Sequence, residues 1–98
     1  MIIVRNIFQL KFGKAKEAIT LVKENQDFMK NNGAGNTRFM TDLTGKFYTF
    51  IMESSYDSLA TYENSASTTM GSKEFSSWYQ KFIPLVESGH REIFNVIN

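Results

Sequence analysis

The 98-residue chain has no cysteine. Disulfides, thiolate nucleophiles and cysteine-held zinc or iron–sulfur centres are therefore excluded. With a single histidine, His90, it cannot assemble a multi-histidine metal site within one chain. Eleven Lys/Arg face ten Asp/Glu for a net charge of +1, with no run of like charge longer than two, so the dense basic face that phosphate neutralisation needs is missing. Nucleic acid is not an expected partner. No stretch approaches the roughly 18 apolar residues of a membrane span, and the opening "MIIVRNIF" has neither a basic leader nor a long apolar run. The expectation is one soluble cytoplasmic domain over residues 1–98, with no membrane partner. Low-complexity tracts and internal repeats are also missing.

Aromatic side chains are plentiful: nine Phe, four Tyr and one Trp supply the large groups of a core. The first segment, Ile2 to about Phe12, alternates. Ile2, Val4, Asn6, Phe8, Leu10 and Phe12 share one face, and Ile3, Arg5, Ile7, Gln9 and Lys11 the other. Asn6 is the polar intruder on a core face. From Lys14 to about Lys30, Ala15, Ala18, Ile19, Val22 and Met29 recur at helical spacing, with Leu21 and Phe28 widening the stripe, and "NNGAGN" closes the helix. "TRFMTDL" and "KFYTFIME", separated by "TG", predict a hairpin.

Asp57 is a predicted cap for a second helix through about Ser65 carrying Leu59, Ala60 and Tyr62, after which "SASTTMGS" reads as a loop. A third helix is predicted from Ser72, with Phe75, Trp78, Tyr79, Phe82 and Val86 in phase and Pro84 kinking or ending it. Gly89 then releases the chain into a final strand, "HREIFNVI". This order predicts an α+β, ferredoxin-like split β-α-β fold: a four-stranded antiparallel sheet with helices on one face. The other face carries Ile3 and Ile7, and the last strand is apolar on both sides, with Phe94 and Val96 against Ile93 and Ile97. A solvated face would alternate cleanly. A homodimer, sheet against sheet, is the expected cover, with Ile7 and Ile93 at the interface.

Along essentially its whole length the chain resembles the dimeric α+β barrel superfamily, in particular its antibiotic-biosynthesis-monooxygenase-like and NIPSNAP-like domains. The opening strand into "LKFGKAKEA", the central "FYTFIMESSYDSLATYENS" and the closing "EFSSWYQKFIPLVESGHREIFNVI" carry the resemblance. Haem-degrading monooxygenases of that superfamily place an Asn on the first strand, where Asn6 falls in "NIFQLKFGKAK". Their tryptophan falls near Tyr62 and their haem-ligating histidine near Tyr79; the histidine has no counterpart here, which leaves haem a minor alternative.

The candidate ligand-binding set is Asn6, Phe8, Tyr48, Met52, Tyr62, Trp78 and Tyr79, with Phe50 on the same wall. These residues either line a pocket for a compact apolar or aromatic molecule between helices and sheet or simply fill the core. Asn6 is the best catalytic candidate, as a donor to a substrate oxyanion; alternatively it satisfies a backbone group. A catalytic form would oxygenate an electron-rich aromatic substrate without cofactor or metal. The alternative from another class is a non-catalytic dimerisation module of NIPSNAP-like type, whose interhelical space would be filled. His90 reads as a solvated side chain, Lys11, Lys14 and Lys16 as solvated or anion-holding, and Arg5, Arg38, Asp42 and Glu53 as charge pairs on the sheet face.

Overall fold

The computed structural model describes residues 1–25 and 37–97. Strand β1 (Ile2–Leu10) leads through the Gly13 turn into α1 (Ala15–Glu24); β2 (Thr37–Thr41) and β3 (Thr49–Tyr56) follow. Helices α2 (Leu59–Met70) and α3 (Lys73–Phe82), a 3-10 turn over Ile83–Leu85 and β4 (Val86–Asn95) complete the chain. The sheet order is β2-β3-β1-β4, every pair antiparallel. This is the α+β ferredoxin-like arrangement expected from the sequence. The predicted end of the first helix, with Phe28, Met29 and "NNGAGN", lies outside the described residues.

Local chemistry explains most element boundaries. Ser58 and Ser72 cap α2 and α3, their hydroxyls accepting from the Thr61 and Phe75 amides. Asp57 is thus one residue early as the predicted cap. Pro84 is tolerated in the 3-10 turn because the α-helix has already ended. The β2–β3 connection is longer than a two-residue hairpin. Asp42 Oδ1 accepts from the Thr49 amide at 2.9 Å, Gly45 has φ 110°, and Tyr48 has φ 59°. A tyrosine in the left-handed region is uncommon and ends the turn before the strand begins.

On the helix-facing side, Leu10, Ala18, Leu21, Val22, Phe50, Trp78, Phe82 and Leu85 form the buried core. Each large side chain taken fully from water contributes about 1.5–3 kcal/mol. Trp78 stacks on Phe82 with centroids 4.6 Å apart, and Phe8 meets Phe82 edge-on at 5.0 Å. Gly89 lies inside β4, opposite Phe8, rather than before the strand. A Cβ there would approach Phe8 Cδ1 to 2.8 Å and the Ile7 carbonyl oxygen to 3.2 Å. Only glycine leaves the Phe8 ring its place.

The other sheet face carries Ile3, Arg5 and Ile7 of β1 with Ile51 and Glu53 of β3 and His90, Glu92 and Phe94 of β4. The register corrects one expectation: Ile93 pairs with Val4 and so shares the helix side, while Phe94, opposite Ile3, belongs to the face of Ile7. Glu53 is only 6% exposed although no helix of the described residues covers it. Arg5 Nε donates to its Oε2 at 2.6 Å and Arg38 Nε to its Oε1 at 2.7 Å, so two arginines roof the carboxylate. Arg5 in turn lies over the Phe94 ring, 5.4 Å from its centroid. Asp42 takes no part in this network; it serves the β2–β3 turn.

Candidate functional site

Antiparallel register builds the floor of the site. Phe39, Met52, Asn6 and Arg91 stand side by side across β2, β3, β1 and β4, because Phe39 pairs with Met52, Met52 with Asn6, and Asn6 with Arg91. Strand alternation turns this row toward the helices, as it does the neighbouring Phe8.

The roof is α2, and its inner side explains why a space exists. Tyr62, Ser65, Ala66 and Thr69 recur at i, i+3, i+4 and i+7 and face the sheet, yet only Tyr62 is large. No residue of α2 is buried, and Leu59 and Ala60, expected to anchor this helix, are exposed. The helix also runs to Met70, through the segment read as a loop. Small inward side chains on a full-length helix leave a cavity of about 380 Å³ between α2, α3 and the sheet. Its walls are Phe75, Trp78, Tyr79 and Phe82 of α3 with Phe8, Phe39 and Met52 of the sheet. Arg91, Met70 and Tyr79 are the exposed members and form its rim.

Of the candidate residues, Asn6, Phe8, Met52, Tyr62, Trp78 and Tyr79 meet at this one cavity. Tyr48 does not. Its left-handed backbone removes it from the β3 alternation and sends its ring against Phe12, at 5.1 Å between centroids. Phe50 is filled core rather than wall. His90 lies on the opposite face, with Nε2 3.5 Å from Glu92. Lys14 pairs with Glu17 at 3.2 Å. Among the described residues, no group of three or more His, Asp and Glu could hold a metal ion. No helix of the described residues is long and apolar enough to cross a membrane.

Among the described residues the Asn6 side chain bonds another side chain and not a backbone group. Its Oδ1 accepts from Arg91 Nε at 2.6 Å, and the Arg91 guanidinium carbon lies 5.8 Å from the Tyr62 ring centroid. Because a guanidinium only donates, the carboxamide orientation is fixed: oxygen to Arg91, NH₂ free of that bond. Arg91 is the residue that sequence reasoning missed. Its signal was phase, since it shares the parity of Gly89 and Ile93 on the helix side of β4. Trp78 is 3% exposed, and its Nε1–H has no acceptor among the described residues. A buried indole N–H normally finds a partner, and leaving it unpaired costs about 1–3 kcal/mol.

No family model matches the chain, and no curated protein matches it. Solved structures do. A NIPSNAP family protein from Agrobacterium tumefaciens is 19% identical with a TM-score of 0.89, over 99% of this chain and 93% of that one. A NIPSNAP domain protein from Burkholderia xenovorans is 12% identical with a TM-score of 0.89, over 99% and 95%. An antibiotic biosynthesis monooxygenase is 11% identical with a TM-score of 0.77, over 100% of both chains. The chain thus has the ferredoxin-like α+β fold that these NIPSNAP and antibiotic biosynthesis monooxygenase structures share.

Proposed function

We propose that the protein is a homodimer that binds a compact aromatic molecule in the cavity between α2, α3 and the sheet. The observation that carries the binding reading is the cavity of about 380 Å³ itself, within the size range of small-molecule sites and walled by aromatic rings. A dimerisation module would have no use for a hollow under α2. Dimerisation is supported by the other sheet face, where Ile3, Ile7, Ile51 and Phe94 lie around the roofed Glu53 and no helix of the described residues covers them. Oxygenation of a bound electron-rich phenol is a second reading, favoured by the likeness to the antibiotic biosynthesis monooxygenase and testable by oxygen uptake.

The only tryptophan of the chain lines the cavity, so it reports occupancy. A neutral apolar fluorophore, N-phenyl-1-naphthylamine, is expected to bind saturably and to accept energy transfer from Trp78. Ala66→Phe, which plugs the space under α2, is expected to abolish that signal without unfolding the protein. Saturable binding that persists unchanged in a folded Ala66→Phe variant, or no binding to the native protein, would refute the site.

A further inference from the structure

The cavity is lined by hydroxyls of Tyr56, Tyr62, Ser65, Thr69 and Tyr79, which can donate or accept, but the one charged group among its described residues only donates. The oxygen of Asn6 is consumed by Arg91 Nε. What remains of that pair is all donor: the Asn6 NH₂ and the two terminal NH₂ groups of Arg91. The Thr37 and Ser54 hydroxyls, also on the wall, are 3.0 Å apart and hold each other. Among the described residues no carboxylate lines the cavity. Glu92, next in sequence to Arg91, projects to the opposite sheet face, where it lies against His90. Among the described residues Arg91 makes no ion pair, so one formal positive charge stands at the rim of a space whose other described lining residues are uncharged.

We propose that the cavity selects an aromatic carboxylate, its ring between Trp78, Phe75 and the sheet and its acid group on Arg91; this rests on the binding site proposed above. Three features favour a carboxylate. With Nε held by Asn6, the guanidinium offers its two terminal nitrogens, an end-on fork that matches two carboxylate oxygens. A single cation balances a monoanion, whereas a phosphate dianion would be left half-neutralised. The charge lies on an edge strand, at the exposed rim, so the acid group keeps part of its hydration while the ring is buried. Asn6 is then a positioning residue: it fixes Arg91 by accepting from Nε and does not itself receive the anion.

The test compares 2-naphthoate with its neutral isostere 2-naphthamide by calorimetric titration of the full chain. The native protein is expected to bind the acid at least tenfold more tightly than the amide. Arg91→Gln is expected to bring that ratio close to one by weakening the acid alone. Arg91→Lys, which keeps the charge and loses the fork, should retain part of it. Asn6→Leu is expected to lower the ratio while amide affinity holds, which a merely structural role would not do. Lys81→Gln, a cation away from the cavity, should leave the ratio unchanged. Equal binding of acid and amide by the native protein overturns the carboxylate proposal and leaves the pocket standing. A preference that survives Arg91→Gln overturns Arg91 as the seat, and binding of neither probe overturns the pocket and the proposal together.

Discussion

Gly89→Ala tests whether the cavity wall and the sheet are coupled through Phe8. The added methyl would stand 2.8 Å from Phe8 Cδ1, 3.2 Å from the Ile7 carbonyl oxygen and 3.3 Å from Phe8 Cε1. Carbon pairs settle at about 3.5–4.0 Å, so the ring must retreat by roughly 1 Å. It is held by edge-on contact with Phe82 and by stacking at 6.4 Å on Phe50, and its open side faces the cavity. Overpacking of this kind costs about 1–3 kcal/mol. Loss of glycine's freedom in the unfolded chain returns about 0.4–1 kcal/mol, because Gly89 has no positive φ that alanine would strain.

The net expectation is a destabilisation of about 1–2 kcal/mol, or roughly 5–10 °C in Tm for a domain of this size. Melts at one fixed protein concentration measure it. Affinity for N-phenyl-1-naphthylamine should fall as well, because the displaced ring enters the site. Adding Phe8→Leu should restore most of the lost stability, the mark of two groups in direct contact. An unchanged or raised Tm with unchanged probe affinity would refute the packing argument.

Two further outcomes concern the opposite sheet face. The hydrogen bond from Arg5 holds the Glu53 carboxyl below its ordinary range, against the opposing effect of burial and with added help from Arg38. Since the folded value is lower than the unfolded one, this stabilisation is complete above the ordinary glutamate range and is lost as the pH falls through the folded value. Tm measured from neutral pH into the acid range should therefore drop less steeply in Glu53→Gln than in the native protein; equal slopes would contradict the triad. Sedimentation should show a dimer across the micromolar range, and Ile7→Asp or Phe94→Asp should yield unfolded chain rather than soluble monomer. A well-folded native monomer at those concentrations would refute the dimer.

Most of the architecture was legible because β1 keeps an apolar core face interrupted only by Asn6 and α3 keeps Phe75, Trp78 and Phe82 in helical phase. Asn6 could be placed on the helix side by counting alone. What escaped was whatever a tertiary partner decides. The "SASTT" stretch is mainly Ser and Thr, weak helix formers, and has no large apolar residue, so local preference reads it as a loop; in the fold Ser65, Ala66 and Thr69 are the inner face of α2. Tyr48 belongs by composition to a strand, yet its positive φ breaks the count. Arg91, between His90 and Glu92, has the company of a solvated residue, and only the full β4 register, begun at Val86 rather than after Gly89, shows that it turns toward Asn6.

The lack of a buried anchor on α2 has a kinetic consequence. A helix that places no side chain in the core is held chiefly by its caps and by contacts along the cavity wall, so freeing it costs much less than unfolding the sheet. Its amides should exchange with solvent through that local opening, far sooner than those of β1, which is paired on both sides. A molecule lodged beneath it would supply the packing that Ser65, Ala66 and Thr69 do not. Occupancy would then be written into α2 as slowed amide exchange, and the helix would act as the gate whose opening rate limits how fast the site fills and empties.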